Sequence, residues 1–99
     1  MNKQIAETTL MQLGGYGRLK AMIGAEFFSY DDKGTLTFKF KGCRKANYLE
    51  VVLDADDTYT MVFLKITNPT RKEVGKFSGL YCDQLQGIFE NETGLYLSL

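Results

Sequence analysis

Ninety-nine residues are enough for one domain core and too few for two, which sets a single domain over residues 1–99. The 44% hydrophobic and 24% charged fractions match a folded domain and exclude a disordered tail. Twelve Lys plus Arg balance twelve Asp plus Glu, so a protein wrapped in phosphates is not the default; the lack of histidine also removes Ser-His and Cys-His nucleophile pairs, imidazole metal sites and histidine pH switches.

The first segment, Lys3 to Leu13, predicts a helix, because Ala6, Leu10 and Leu13 fall at i, i+4 and i+7 with Ile5 beside them. Asn2 caps its start by accepting from a first-turn amide, and Gly14-Gly15 ends it. A second helix runs from Tyr16 to Ile23 on a stripe of Leu19, Met22 and Ile23, closed by Gly24, so the two helices form a corner. The period then falls to two. Glu26–Tyr30 and Thr35–Lys41 flank Asp31-Asp32-Lys33-Gly34, a hairpin signal. Pairing Tyr30 with Thr35 sets Ser29 against Leu36 and Phe27 against Phe38 on the inner face, leaving Phe28 and Tyr30 outside.

Gly42 to Ala46 is a basic loop. Asn47–Leu53 is the third strand, with Leu49, Val51 and Leu53 inward, and Thr58–Thr67 the fourth, with Tyr59, Met61 and Phe63 inward. Keeping those odd-numbered residues on one face demands a loop of three or five residues at Asp54-Ala55-Asp56-Asp57, since a two-residue turn would set Leu53 against Thr58. Residues 68–77, with Pro69, Gly75, Arg71, Lys72 and Lys76, read as a solvated loop. Ser78 caps a last helix from Gly79 to Thr93 that buries Tyr81, Leu85, Ile88 and Phe89; Gly94 ends it, and Leu95–Leu99 is an apolar tail that must dock. The expected architecture is α+β, in the order α-α-β-β-β-β-α: a four-stranded antiparallel meander with its helices on one face.

That leaves an open sheet face. Its expected members are Phe28, Tyr30, Thr35, Thr37, Lys39, Lys41, Tyr48, Glu50, Val52, Thr60, Val62, Leu64 and Ile66. Thr, Lys and Glu suit water; the candidate interaction surface Phe28, Tyr30, Tyr48, Val52, Val62, Leu64 and Ile66 does not. Each such side chain gains roughly 1.5–3 kcal/mol on burial, so the tail, the 68–77 loop, a second copy or a partner is expected over them.

Sites with chemistry are scarce. Cys82 at a helix start is a place that lowers a thiol pKa, but no base accompanies it, and a core position beside Leu85 is the simpler expectation. Asp54, Asp56 and Asp57 resemble calcium ligands, yet an EF-hand loop needs glycine at its sixth position and a carboxylate at its twelfth, where Tyr59 and Lys65 stand. Gly14-Gly15-Tyr16-Gly17-Arg18 lacks the strand and lysine of a phosphate loop and reads as helix termination. No catalytic residue, cofactor or metal is implied. Lys39, Lys41, Arg44 and Lys45, near Phe28, Tyr30 and Tyr48, form a candidate nucleic-acid contact, because aromatics stack bases and cations hold phosphates. A solvated edge whose lysines block aggregation is the plainer reading.

No apolar run approaches the roughly 20 residues of a membrane span, and the first residues carry no signal-peptide core. Two cysteines are too few for a disulfide framework, which implies free thiols, with a single Cys43–Cys82 bridge left open. Leu13-Gly14-Gly15, Ala21-Met22-Ile23-Gly24-Ala25, Asp57-Thr58-Tyr59-Thr60-Met61-Val62-Phe63, Gly79-Leu80-Tyr81-Cys82-Asp83-Gln84-Leu85, Phe89 and Thr93-Gly94-Leu95-Tyr96 resemble a family of small uncharacterised proteins of bacterial phages, prophages and plasmids. The resemblance spans nearly the whole chain and departs at Glu26-Phe27-Phe28-Ser29, which is greasier than the family's run. It carries no functional residues. It implies a mobile-element accessory protein in a bacterial cytoplasm. Many such proteins bind a host, element or defence protein. The expected function is therefore non-enzymatic protein–protein interaction through the outer sheet face, with a homodimer as one form. The alternative is nucleic-acid binding through residues 39–45.

Overall fold

The computed structural model describes residues 2–67, 70–95 and 97. Helices α1 (Asn2–Gln12) and α2 (Tyr16–Ile23) lead into strands β1 (Glu26–Tyr30), β2 (Leu36–Lys39), β3 (Tyr48–Leu53), β4 (Tyr59–Thr67) and β5 (Thr70–Leu80). A 3-10 turn at Cys82–Gln84 and helix α3 (Leu85–Thr93) follow. Every strand pairs antiparallel with its neighbour in chain order, so the fold is α+β with a meander sheet.

The helical corner forms where the apolar stripes predict it. Leu13, Leu19 and Ile23 are buried, and Gly24 closes α2 at φ 63, the left-handed conformation only glycine adopts without steric cost. The side chain of Asn2, expected as a cap, lies outside the described residues. In the sheet centre the expected register holds: Leu49 pairs with Phe63, Val51 with Met61 and Leu53 with Tyr59, around a five-residue loop over 54–58.

Three expectations are corrected. First, most of the segment expected as a loop over 68–77 is strand. Thr67 pairs with Thr70, Ile66 with Arg71, Leu64 with Glu73, Met61 with Phe77 and Tyr59 with Leu80, giving a five-stranded sheet; residues 68 and 69 lie outside the described residues. Two register shifts, between Phe63 and Leu64 and between Tyr59 and Met61, break the two-residue alternation of β5 and so hide it from periodicity. Its charges suit an edge that must not pair with other chains. Second, Gly79 belongs to β5 at φ 68, Ser78 is a strand residue, and the helical turn starts only at Cys82. Leu85 and Phe89 are buried as expected, Ile88 is half-buried, and Tyr81 points into water. Third, β1 is shifted. Tyr30 pairs with Leu36 and Ser29 with Thr37, while Glu26 pairs with Lys39, so Phe27 and Phe28 together oppose Phe38 across a bulge, with Phe27 at φ 57.

The helices cover one face of the sheet, and there the aromatics form a chain. Ring centroids run from Tyr16 to Phe28 (4.9 Å), Phe28 to Phe38 (5.2 Å), Phe38 to Phe40 (6.4 Å), Phe40 to Phe89 (5.1 Å), Phe89 to Phe63 (6.1 Å) and Phe63 to Phe77 (5.9 Å). The tilted and edge-on geometries are those aromatic quadrupoles favour. Gln86 Nε2 donates to the carbonyl of Gln12 at 3.2 Å and ties α3 to the end of α1. The tail docks on this side too: Leu97 is buried in the same core, and its amide donates to Glu90 Oε2 at 2.9 Å. The remaining tail residues, Tyr96, Ser98 and Leu99, lie outside the described residues. The domain measures 32 × 32 × 22 Å. One helix layer of about 10–12 Å and one sheet layer of about 10 Å fill the short dimension. No third layer covers the far face among the described residues.

The pairing of β5 decides where a protease enters. Arg71, Lys72 and Lys76 lie on a strand paired with β4, whereas Arg44 and Lys45 occupy an exposed, irregular loop. Limited trypsin digestion is expected to cut first after Arg44. First cuts after Arg71, Lys72 or Lys76 would show β5 detached in solution.

Candidate interaction surface

Alternation along β3 and β4 sends Tyr48, Glu50 and Val52, and Thr60, Val62, Leu64 and Ile66, to the face away from the helices. Tyr48 stands opposite Leu64, Glu50 opposite Val62, and Val52 opposite Thr60. Five of the seven expected apolar residues are thus brought together: Tyr48, Val52, Val62, Leu64 and Ile66. Phe28 and Tyr30 are not among them. The bulge at Phe27 turns both to the helix side, where Phe28 packs on Phe38 and Tyr30 pairs with Leu36. Phe27 takes the outer position instead and is 67% exposed, with Lys39 Nζ 5.9 Å from its ring centroid.

β5 supplies outer neighbours that a four-stranded sheet lacks. Lys76 lies opposite Val62, Glu73 opposite Leu64 and Arg71 opposite Ile66. Leu64 is only 5% exposed although it is not part of the helix-side core, while Val52, Val62, Tyr48 and Ile66 are half-buried. The row is therefore apolar at its centre and rimmed by charge. Toward the 54–58 loop it dips into a shallow hollow of about 620 Å³, whose lining includes Glu50, Val52, Asp54, Asp56, Val62 and Lys76. Thr60 Oγ1 donates to Asp54 Oδ2 at 2.7 Å. The carboxyl of Asp56 is held below the usual range because it accepts from the Thr58 hydroxyl and then from the Thr58 amide. Asp31, at the same end of the sheet, is lowered first by the Thr35 amide it accepts from, with the Lys33 amide adding to it. Both stay ionised to lower pH than a free aspartate. At the opposite end, the Asn47 side chain completes the ladder: Nδ2 donates to the Ile66 carbonyl and Oδ1 accepts from the Ile66 amide, each at 2.8 Å.

The four cations of the candidate nucleic-acid contact do not converge. Lys45 Nζ bonds Glu92 Oε2 of α3 at 2.7 Å, and Lys41 Nζ lies 3.6 Å from Glu26 Oε1. Lys39 is on the outer face beside Phe27, and Arg44 is exposed in its loop with no carboxylate within 4.0 Å among the described residues. Cys82 is exposed rather than set in the core, Cys43 is half-buried, and both are free thiols. Among the described residues no three His, Cys, Asp or Glu side chains group to hold a metal, and no described helix is long and apolar enough to cross a membrane.

A second apolar feature is not foreseen from the sequence. A notch of about 180 Å³ between α1 and β1 is lined in part by Leu10, Phe28, Tyr30 and Leu36, with Tyr30 51% exposed. Only the adjacent Phe27-Phe28 pair hints at it, since two consecutive rings serve both faces of a regular strand and nothing local signals a bulge. Comparison of the chain with protein-family models, with curated proteins and with solved structures finds no match.

Proposed function

We propose that this protein is a non-enzymatic interaction module that docks a protein partner through the outer sheet face, centred on Val62. One observation carries this reading. Four half-buried apolar side chains, Tyr48, Val52, Val62 and Ile66, surround the buried Leu64 on a face that no described element covers, inside a rim of Lys39, Glu50, Arg71, Glu73 and Lys76. An apolar centre with a charged rim is the make-up of a contact surface. The resemblance to mobile-element proteins adds a setting, an accessory role in a bacterial host. Nucleic-acid binding is the second reading, favoured by the exposed Phe27 ring beside Lys39, with Arg44 and Arg71 as further cations. It is the weaker one, because Lys41 and Lys45 are held by carboxylates.

The test is affinity capture with the wild-type chain and with Val62→Arg, before and after nuclease treatment. Val62→Arg is expected to keep the far-UV spectrum and to lose the captured protein. Capture that persists in Val62→Arg would remove the outer face as the contact. Capture that vanishes with nuclease would establish the nucleic-acid reading instead.

A further inference from the structure

We propose that the occupant of the outer face is a second copy of this chain, related by a two-fold axis that runs across the strands; this rests on the outer face being the contact surface. In a meander, successive connections alternate between the two ends of the sheet, so the 31–35 and 54–58 turns share one end and the 40–47 loop and the paired Thr67 and Thr70 share the other. The first end carries Asp31, Asp32, Asp54, Asp56 and Asp57 against Lys33 alone. The second carries Lys41, Arg44, Lys45, Lys65, Arg71 and Lys72, with no acidic residue in 40–47 or 65–72. The two ends thus carry opposed charge, with Glu26 and Glu92 pairing Lys41 and Lys45 at the basic one.

The outer face repeats this polarity. Glu50, Asp54 and Asp56 lie toward the acidic end, and Lys39 and Arg71 toward the basic one. On β5 the order inverts, with Lys76 beside Val62 and Glu73 beside Leu64. A two-fold axis across the strands, passing between those two rungs, satisfies both patterns. It lays the acidic half of each copy over the basic half of the other, Val62 over Leu64, and Lys76 over Glu73. An axis along the strands would bring the Asp54 and Asp56 ends of both copies together, and likewise the Arg71 ends. Such a contact uses the same patch twice and closes on itself, so it ends at a dimer. The chain's own tail is not the occupant as far as it is described, since Leu95 and Leu97 pack on the helix side.

Sedimentation velocity from micromolar to hundreds of micromolar tests this, with far-UV spectra confirming that each variant is folded. The wild type is expected to form a dimer that weakens with added salt. Lys39→Glu with Arg71→Glu makes both halves of the face acidic, and Glu50→Lys with Asp56→Lys makes both basic; each pair is expected to weaken self-association by about tenfold or more. All four changes in one chain restore complementarity, so that variant should associate with itself again and should not mix with the wild type. Unchanged association in both paired variants would overturn the crossed axis. A wild type that stays monomeric throughout would overturn the second copy as occupant. If Val62→Arg nonetheless abolished capture of another protein, the outer face would stand as the contact surface with a different partner. A wild-type dimer indifferent to Val62→Arg would move the contact to another surface and overturn both.

Discussion

Phe89→Ala is expected to destabilise the domain by about 3–5 kcal/mol, measured by urea unfolding, against the roughly 5–15 kcal/mol that a domain of this kind holds in total. Phe89 is fully buried, and its ring lies 5.1 Å from Phe40 and 6.1 Å from Phe63. It is the one residue of α3 whose ring joins the β2 and β4 sides of the aromatic chain. Truncation removes the ring's transfer free energy and leaves a hole between two strands that are held in register on both sides and cannot collapse into it. In a domain of this size the loss corresponds to a fall in Tm of roughly 12–40 °C. An unchanged Tm would mean that α3 does not pack on the sheet.

Leu64→Lys should also be costly, by about 1.5–3 kcal/mol, and should show this in an isolated monomer. Strand alternation alone puts Leu64 at the centre of a bare outer face, where a lysine would leave the monomer intact. Its side chain is in fact 5% exposed, flanked by Tyr48 on β3 and Glu73 on β5. The substitution therefore removes a buried apolar group, though the lysine stem can run along the same surface and carry its amine to solvent, which keeps the loss below that of Phe89→Ala. Val62→Arg, at a half-buried neighbouring position, is the control and should change the unfolding midpoint far less. Equal midpoints for the wild type and Leu64→Lys would show that the fifth strand does not shelter Leu64 in solution.

Much of the fold is legible in the chain's local patterns. The 3.6-residue stripes of α1 and α2, the glycines that end them and the two-residue alternation of β2, β3 and β4 carry both the elements and the central register. The parity of the 54–58 loop follows from the same alternation, because a side chain cannot change faces without changing the count of residues in the turn.

Contacts between distant segments decide the rest. β5 is an edge strand whose bulges interrupt its alternation and whose outer side is charged, so its strand state comes from the ladder that β4 offers rather than from its own pattern. The bulge at Phe27-Phe28 is set by how β1 meets β2 and by the packing of Phe28 between Tyr16 and Phe38, and it moves two of the seven candidate surface residues to the other side of the sheet. The basic stretch 39–45 is continuous in sequence, but its cations diverge, because Lys41 meets a carboxylate from β1 and Lys45 one from α3. Helices α1 and α2, the inner face of the central strands and the apolar row on their outer face follow from periodicity and turn parity, which are local. The fifth strand, the late start of α3, the side on which Phe28 and Tyr30 lie and the separation of charge between the two ends of the sheet each depend on which segments the meander brings side by side.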